Sequence, residues 1–226
     1  MKITFLGHAA LYIQTDSHRI LVDPFISGNE LAAGKIDMQA LNPDVILLTH
    51  AHQDHVLDVE AIAGRTQAPI ISNYEIVSYY QNKGLEGHPM NHGGARDFDF
   101  GWLKYVNAVH TSSFADGTYG GQPGGFLFKA GGKMVYIAGD TALHADMKLI
   151  PLYGKLDLAI LPIGDNFTMG VSDALLASGF VECDRVMGVH YNTFGYITID
   201  TDDAVKTFQD SGKTLLLPEI GEALTL

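Results

Sequence analysis

The chain has 226 residues with no Pro/Ser-rich linker or charge block, so it reads as one domain over residues 1–226. A net charge of −12 disfavours a phosphate-backbone partner, and no apolar run approaches the roughly 20 residues needed to span a bilayer, so neither nucleic acid nor membrane is an expected partner. The single cysteine, Cys183, excludes an internal disulfide and suits a cytoplasmic setting; its neighbours Glu182 and Asp184 raise a thiol pKa, so it reads as structural.

Residues 2–6, 10–15 and 19–22 are short apolar strand candidates, with Asp16-Ser17-His18 as a turn and Asp23-Pro24 as the stop of the third. His8 interrupts the apolar start, which therefore does not read as an export signal. A strand over 45–48 follows, then a helix from Asp58 to Arg65, a short strand at 69–71, and a helix from Tyr74 to Lys83 closed by Gly84. In the second half, Trp102 to Val109 reads as a strand ending at His110. Segments 125–130 and 133–138 form a hairpin around Gly131-Gly132 that ends at Gly139-Asp140. Strands are expected at 158–161, 186–189, 215–217 and 223–226. Helices are expected at 172–178, with Ser172 as a cap, and from Asp200 or Thr201 to about Ser211. Tight turns early imply antiparallel pairing, and strands alternating with helices follow. The sum is an α/β layered sandwich of two sheets with helices outside; a doubly wound sheet is the alternative.

The run His50-Ala51-His52-Gln53-Asp54-His55 carries the chemistry. It follows the buried strand Val45–Leu48 in the pattern H-x-H-x-D-H. In an extended chain, residues i and i+2 share a face, so His50 and His52 reach one ion together. A helical turn at Asp54 rotates Asp54 and His55 toward a second ion. This predicts a two-metal site and hydrolysis by a metal-bound hydroxide. His110, Asp140 and His190 each follow an apolar run in the same way. Taken singly, a strand-end histidine is more often structural and an Asp after Gly is usually a turn residue. Their recurrence beside the histidine run carries the argument. His18, His88, His92 and His144 lack such placement and read as non-ligands.

Asp23, the run His50-His52-Asp54-His55, then His110, Asp140 and His190, in that order, resemble the metallo-β-lactamase superfamily. The resemblance implies a four-layer αββα sandwich of two mixed β-sheets flanked by helices. It implies His50, His52 and His110 around one metal, Asp54, His55 and His190 around the other, and Asp140 bridging them. The donor set suits zinc, and also manganese or iron. Gly7-His8-Ala9, Leu21-Val22-Asp23-Pro24, Pro162 to Gly170 and His190-Tyr191-Asn192-Thr193-Phe194 resemble a subgroup of metal-dependent hydrolases.

The expected activity is hydrolysis of a small ester, lactone or phosphodiester. A diiron redox protein on the same fold usually has Glu where His52 stands and a fused flavin domain, and a non-catalytic relative normally loses ligands. Asp54 is the expected proton acceptor. Asp23 is expected to accept a hydrogen bond from a ligand histidine, and His8 to line the pocket or donate to an oxyanion. Tyr191, Asn192, Asp165 and Asn166 are candidates for facing the substrate, and Asp116 to Gly125 reads as a lid or a plain surface loop. The expected partner is a small-molecule substrate; a homo-oligomer is compatible with the chain.

Overall fold

The computed structural model describes residues 1–226. Fourteen strands form two seven-stranded sheets. The first holds β1 (Lys2–Gly7), β2 (Ala10–Gln14), β3 (Arg19–Val22), β4 (Val45–Leu47), β5 (Ile70–Asn73) and β6 (Gly87–Met90), with β14 (Ala223–Thr225) beside β1. The second holds β7 (Ala95–Phe98), β8 (Gly101–Asn107), β9 (Gly124–Ala130), β10 (Lys133–Ile137), β11 (Leu158–Pro162), β12 (Arg185–Val189) and β13 (Thr214–Leu216). Both sheets are mixed, and they repeat one pattern. From β14 to β6, and again from β7 to β13, three antiparallel pairings are followed by three parallel ones.

Side-chain alternation explains the layering. Ile20 and Val22 on β3, and Val45 and Leu47 on β4, point into an apolar core of 21 buried residues shared with Phe126, Val135 and Ile160 of the other sheet. Their neighbours Leu21 and Ile46 point the other way, into a core of 18 residues with Val59, Ile62, Ile76 and Tyr80. Leu127, Tyr136 and Leu161 face a third core of 20 residues with Ala174, Ala177 and Phe208. Three stacked apolar interfaces require four layers: helix, sheet, sheet, helix. Strands buried on both faces read as unbroken apolar runs, as these do.

The helices on the first sheet are α1 (Gln53–Val56), α2 (Val59–Thr66) and α3 (Tyr74–Gln81); those on the second are α4 (Val171–Phe180) and α5 (Thr201–Asp210). Asp200 caps α5 by accepting from the amides of Asp202 and Asp203. Ser172 does not cap α4; Gly170 holds that position without a side-chain bond, and Ser172 lies one residue inside the helix. The expected strand to Val109 stops at Asn107, so His110 arrives on irregular chain. A 3-10 helix over Ala145–Tyr153 and the edge strands β6 and β7 add to the sequence reading. No helix is long and apolar enough to cross a membrane.

Candidate metal centre

Strand direction assembles the site. In the first sheet β1, β3 and β4 run the same way, and in the second β8, β10 and β12 do. Their carboxyl ends deliver His8, Asp23, His50, His110, Asp140 and His190, and ligand crevices form at such ends. All seven candidate ligands come together. Their donor atoms gather into sets in which every atom lies within 4.8 Å of the others: His50, His52 and His110; His50, His55 and Asp140; and Asp54, His55 and His190 with His8.

Asp140 sits at the middle. Its Oδ2 lies 3.0 Å from His190 Nε2, 3.4 Å from His55 Nε2, 3.5 Å from His110 Nε2 and 3.8 Å from His50 Nε2. His50 Nε2 and His52 Nδ1 stand 3.1 Å apart. Ligands at about 2.1 Å from a tetrahedral ion lie roughly 3.4 Å from one another, so these spacings fit metal ligation. Buried His55 Nε2 and Asp140 Oδ1 have no hydrogen-bond partner, an arrangement that protein interiors rarely leave without a ligand. Five imidazoles and two carboxylates suit a divalent transition metal.

The turn into α1 works as the spacing predicts. His52 is extended at φ −65°, ψ 147°, and the helix starting at Gln53 swings Asp54 and His55 to the other group. Asp23, buried and at φ 44°, fixes the ring settings. Its Oδ2 lies 3.0 Å from His55 Nδ1 and accepts from Thr49 Oγ1 at 2.6 Å, while Oδ1 accepts from the Thr49 amide at 2.8 Å. Thr49 Oγ1 lies 3.1 Å from His50 Nδ1. Asp23 thus holds His55 directly and His50 through Thr49, leaving both Nε2 atoms turned toward Asp140. Thr49 precedes the motif in sequence, yet only its contact with Asp23 reveals this role.

His8 is buried, with Nε2 3.0 Å from Asp54 Oδ2 and Nδ1 3.0 Å from Thr193 Oγ1. Both ring nitrogens are engaged, so His8 acts on Asp54 and has no nitrogen left for a substrate oxyanion. Burial pushes its pKa down to about 4, which keeps the ring neutral. Its carbonyl accepts the His190 amide at 2.8 Å, a backbone bond joining the first sheet to the second under the centre. His8 and His190 both adopt the left-handed conformation, at φ 56° and 57°. Gly164 packs against the His190 carbonyl, where no Cβ fits.

Burial lowers His50, His52 and His110. Burial also opposes the charged forms of His55 and His190, but Asp140 and Asp54 together outweigh it, with Asp23 adding to the effect on His55, holding His55 well above the usual range and His190 at about 9. Desolvation opposes ionisation of Asp54 and Asp140, yet the surrounding imidazoles keep both carboxyls well below the usual range.

A cavity of about 320 Å³ opens over the ligands, lined also by Thr111, Phe167 and Phe194. Phe167 and Phe194 lie within two of the subgroup motifs quoted above, but the sequence assigned none of the three a place at the site. Tyr191 and Asn192 instead line a neighbouring cavity of about 390 Å³ with His8 and Thr193, so they do not face the ligands. Asp165 and Asn166 take a turn role at φ 63° and 56°, with the Asn166 amide on Asp165 Oδ1 at 2.8 Å. The glycine-rich segment is anchored: Asn73 Nδ2 donates to the Gly120 and Gln122 carbonyls at 2.8 and 3.1 Å, and Ser112 Oγ donates to the Gly120 carbonyl at 2.9 Å. Cys183 is buried with its thiol raised by burial, in keeping with a structural residue. None of His18, His88, His92 and His144 joins the ligand sets.

This fold and ligand set define a metallo-β-lactamase-type hydrolase, and comparison with known proteins gives the same class. A family described as "Beta-lactamase superfamily domain" matches residues 2–190. Over its full length the chain is 60% identical to all of a UPF0173 metal-dependent hydrolase from Christiangramia forsetii and 62% identical to all of one from Flavobacterium johnsoniae. Igni18, a metallo hydrolase from the archaeon Ignicoccus hospitalis, superposes with a TM-score of 0.90 at 33% identity, covering 100% of this chain and 97% of that one. The chain belongs to the beta-lactamase superfamily and, within it, to the UPF0173 family of metal-dependent hydrolases.

Proposed function

We propose that the chain is a dinuclear hydrolase acting on a small ester, lactone or phosphodiester. The observation that carries this is Asp140 Oδ2 lying within 3.8 Å of imidazole nitrogens from both ligand groups. His50, His52 and His110 would hold one divalent ion and Asp54, His55 and His190 the other, with Asp140 shared between them; zinc suits the donors best, with manganese or iron as alternatives. Such ions, when bound, lower the pKa of water from 15.7 to roughly 7 and polarise a substrate oxygen.

The protein's own part is orientation. His8, itself held by Thr193, fixes Asp54 through Oδ2, so that this carboxylate would be set to accept the proton of an attacking water. Asp23 and Thr49 hold His55 and His50 in one ring setting. A small-molecule substrate fits the modest cavity, and the charge of −12 speaks against nucleic acid. The test is metal analysis with turnover of generic esters, lactones and phosphodiesters before and after chelation. Two equivalents of metal and chelator-sensitive turnover are expected; undiminished turnover after verified metal removal would refute the proposal.

A further inference from the structure

The mouth of the metal cavity is aromatic. Of eleven phenylalanines in the chain, the two most exposed are Phe167 at 52% and Phe194 at 36%, and both line this cavity. Their loops are tied in place rather than loose. Phe167 tips a turn in which Gly164 and Gly170 pair and the Asp165 amide bonds the Met169 carbonyl at 3.0 Å. Phe194 sits in a loop closed by the Asn192 amide on the Ile197 carbonyl at 2.8 Å and by the Ile199 amide on Asn192 Oδ1 at 2.8 Å. The Phe194 ring stands 5.2 Å edge-on from His8 and 6.1 Å from Phe25, while Phe167 has exposed Tyr196 6.2 Å away.

An exposed phenylalanine on a fixed loop leaves apolar surface in water that a ligand can cover. No lysine or arginine lines the cavity, so the protein offers no cationic side chain to a phosphate, the group that Arg and Lys recognise best. Asp54 and Asp140 offset part of the charge that bound ions bring. Thr111 adds a neutral hydroxyl to the lining.

We infer that the site selects an uncharged acyl compound, an ester or lactone, whose apolar group lies against Phe167 and Phe194, in preference to a phosphodiester. This rests on the hydrolytic reading above. In the reaction, water's oxygen bonds to the carbonyl carbon and the acyl C–O bond breaks. Its electron pair leaves on the departing oxygen, which gains a proton from the water, giving an acid and an alcohol.

The test uses zinc-loaded protein with p-nitrophenyl acetate, p-nitrophenyl phenylacetate and bis(p-nitrophenyl) phosphate. The phenylacetate is expected to exceed the acetate in kcat/KM by roughly tenfold, chiefly through KM, and the phosphodiester by roughly 100-fold. The preference over acetate should vanish in Phe167→Ala/Phe194→Ala and return in Phe167→Leu/Phe194→Leu. A preference unchanged by the alanine variant, or a faster phosphodiester, would overturn the inference. Binding of 2-phenylacetamide over acetamide, followed by saturation-transfer NMR, separates the two readings. If metal-loaded protein turns over none of the substrates yet binds phenylacetamide, and the alanine variant does not, the hydrolytic reading falls and the aromatic selectivity stands. If the unsubstituted protein shows no such binding preference, the selectivity falls.

Discussion

Of the two proposed ligand groups, one draws on the imidazoles of His50, His52 and His110 alone, whereas the other, Asp54, His55 and His190, is built around a carboxylate. Burial keeps the first group neutral and poised to ligate. In the second, acidic neighbours overcome burial, and His190 holds its proton up to about pH 9. Two groups sharing Asp140 therefore differ in what must leave before a cation enters: no proton from the first, one from each imidazole of the second near neutral pH. Similar donors, set 3–4 Å from common neighbours, acquire different proton chemistry from the placement of two carboxylates.

Removing what the groups share should have the largest effect. Asp140→Ala is expected to cut kcat/KM on the order of 10⁴-fold and to lower bound metal at both groups, read by kinetics and elemental analysis. His52→Ala and His190→Ala should separate the groups, each losing about one equivalent of metal while the other remains; loss of both from either variant would mean that the groups load as one unit. Asp23→Asn removes the acceptor that sets His55 and, through Thr49, His50. Metal affinity should fall roughly 10–100-fold by competition with a chromophoric chelator, more at the carboxylate-containing group, where the contact is direct.

The smallest effect is on stability, and its sign differs between the groups. His190, raised to about 9, contributes stability to the metal-free protein that is fully present below the unfolded value of about 6.5 and is lost as pH rises through 9. His50, His52 and His110 resist protonation when folded, so stability falls as pH drops below 6.5. The melting temperature of metal-free protein should peak near pH 6.5, and calorimetry in buffers of different ionisation enthalpy should show proton release on loading the second group. A melting temperature that climbs steadily from pH 6.5 to 9 would contradict the assignment for His190.

The gathering of the candidate ligands was readable because the segments that carry them follow apolar strands, and strand period fixes direction: His50 and His52 point together for the reason the i, i+2 rule gives. The layers were readable from strands buried on both faces. β6 was not, because Gly87-His88-Pro89-Met90 has little apolar content and holds a proline that only an edge position tolerates. β7, Ala95-Arg96-Asp97-Phe98, is likewise an edge strand carrying charge. Phe167 and Phe194 lie in the quoted motifs, yet their shared role was hidden for a different reason. Their sequence neighbourhoods look like turns, and only the closing of two distant loops over one cavity gives them a common task. Tyr191 and Asn192, adjacent in sequence to a ligand, turn away because left-handed His190 and Asn192 redirect the chain.

The backbone bond from His190 to the His8 carbonyl acts as a rivet between the two halves of the sandwich. One half supplies Asp54 and His55, the other His190 and Asp140. A shear of either half across the other has to break this rivet, and in doing so it would pull the cage apart. Rigidity across the mid-plane would thus be a condition for retaining any cations held in the proposed site, and loosening there should release them before the strands themselves come undone.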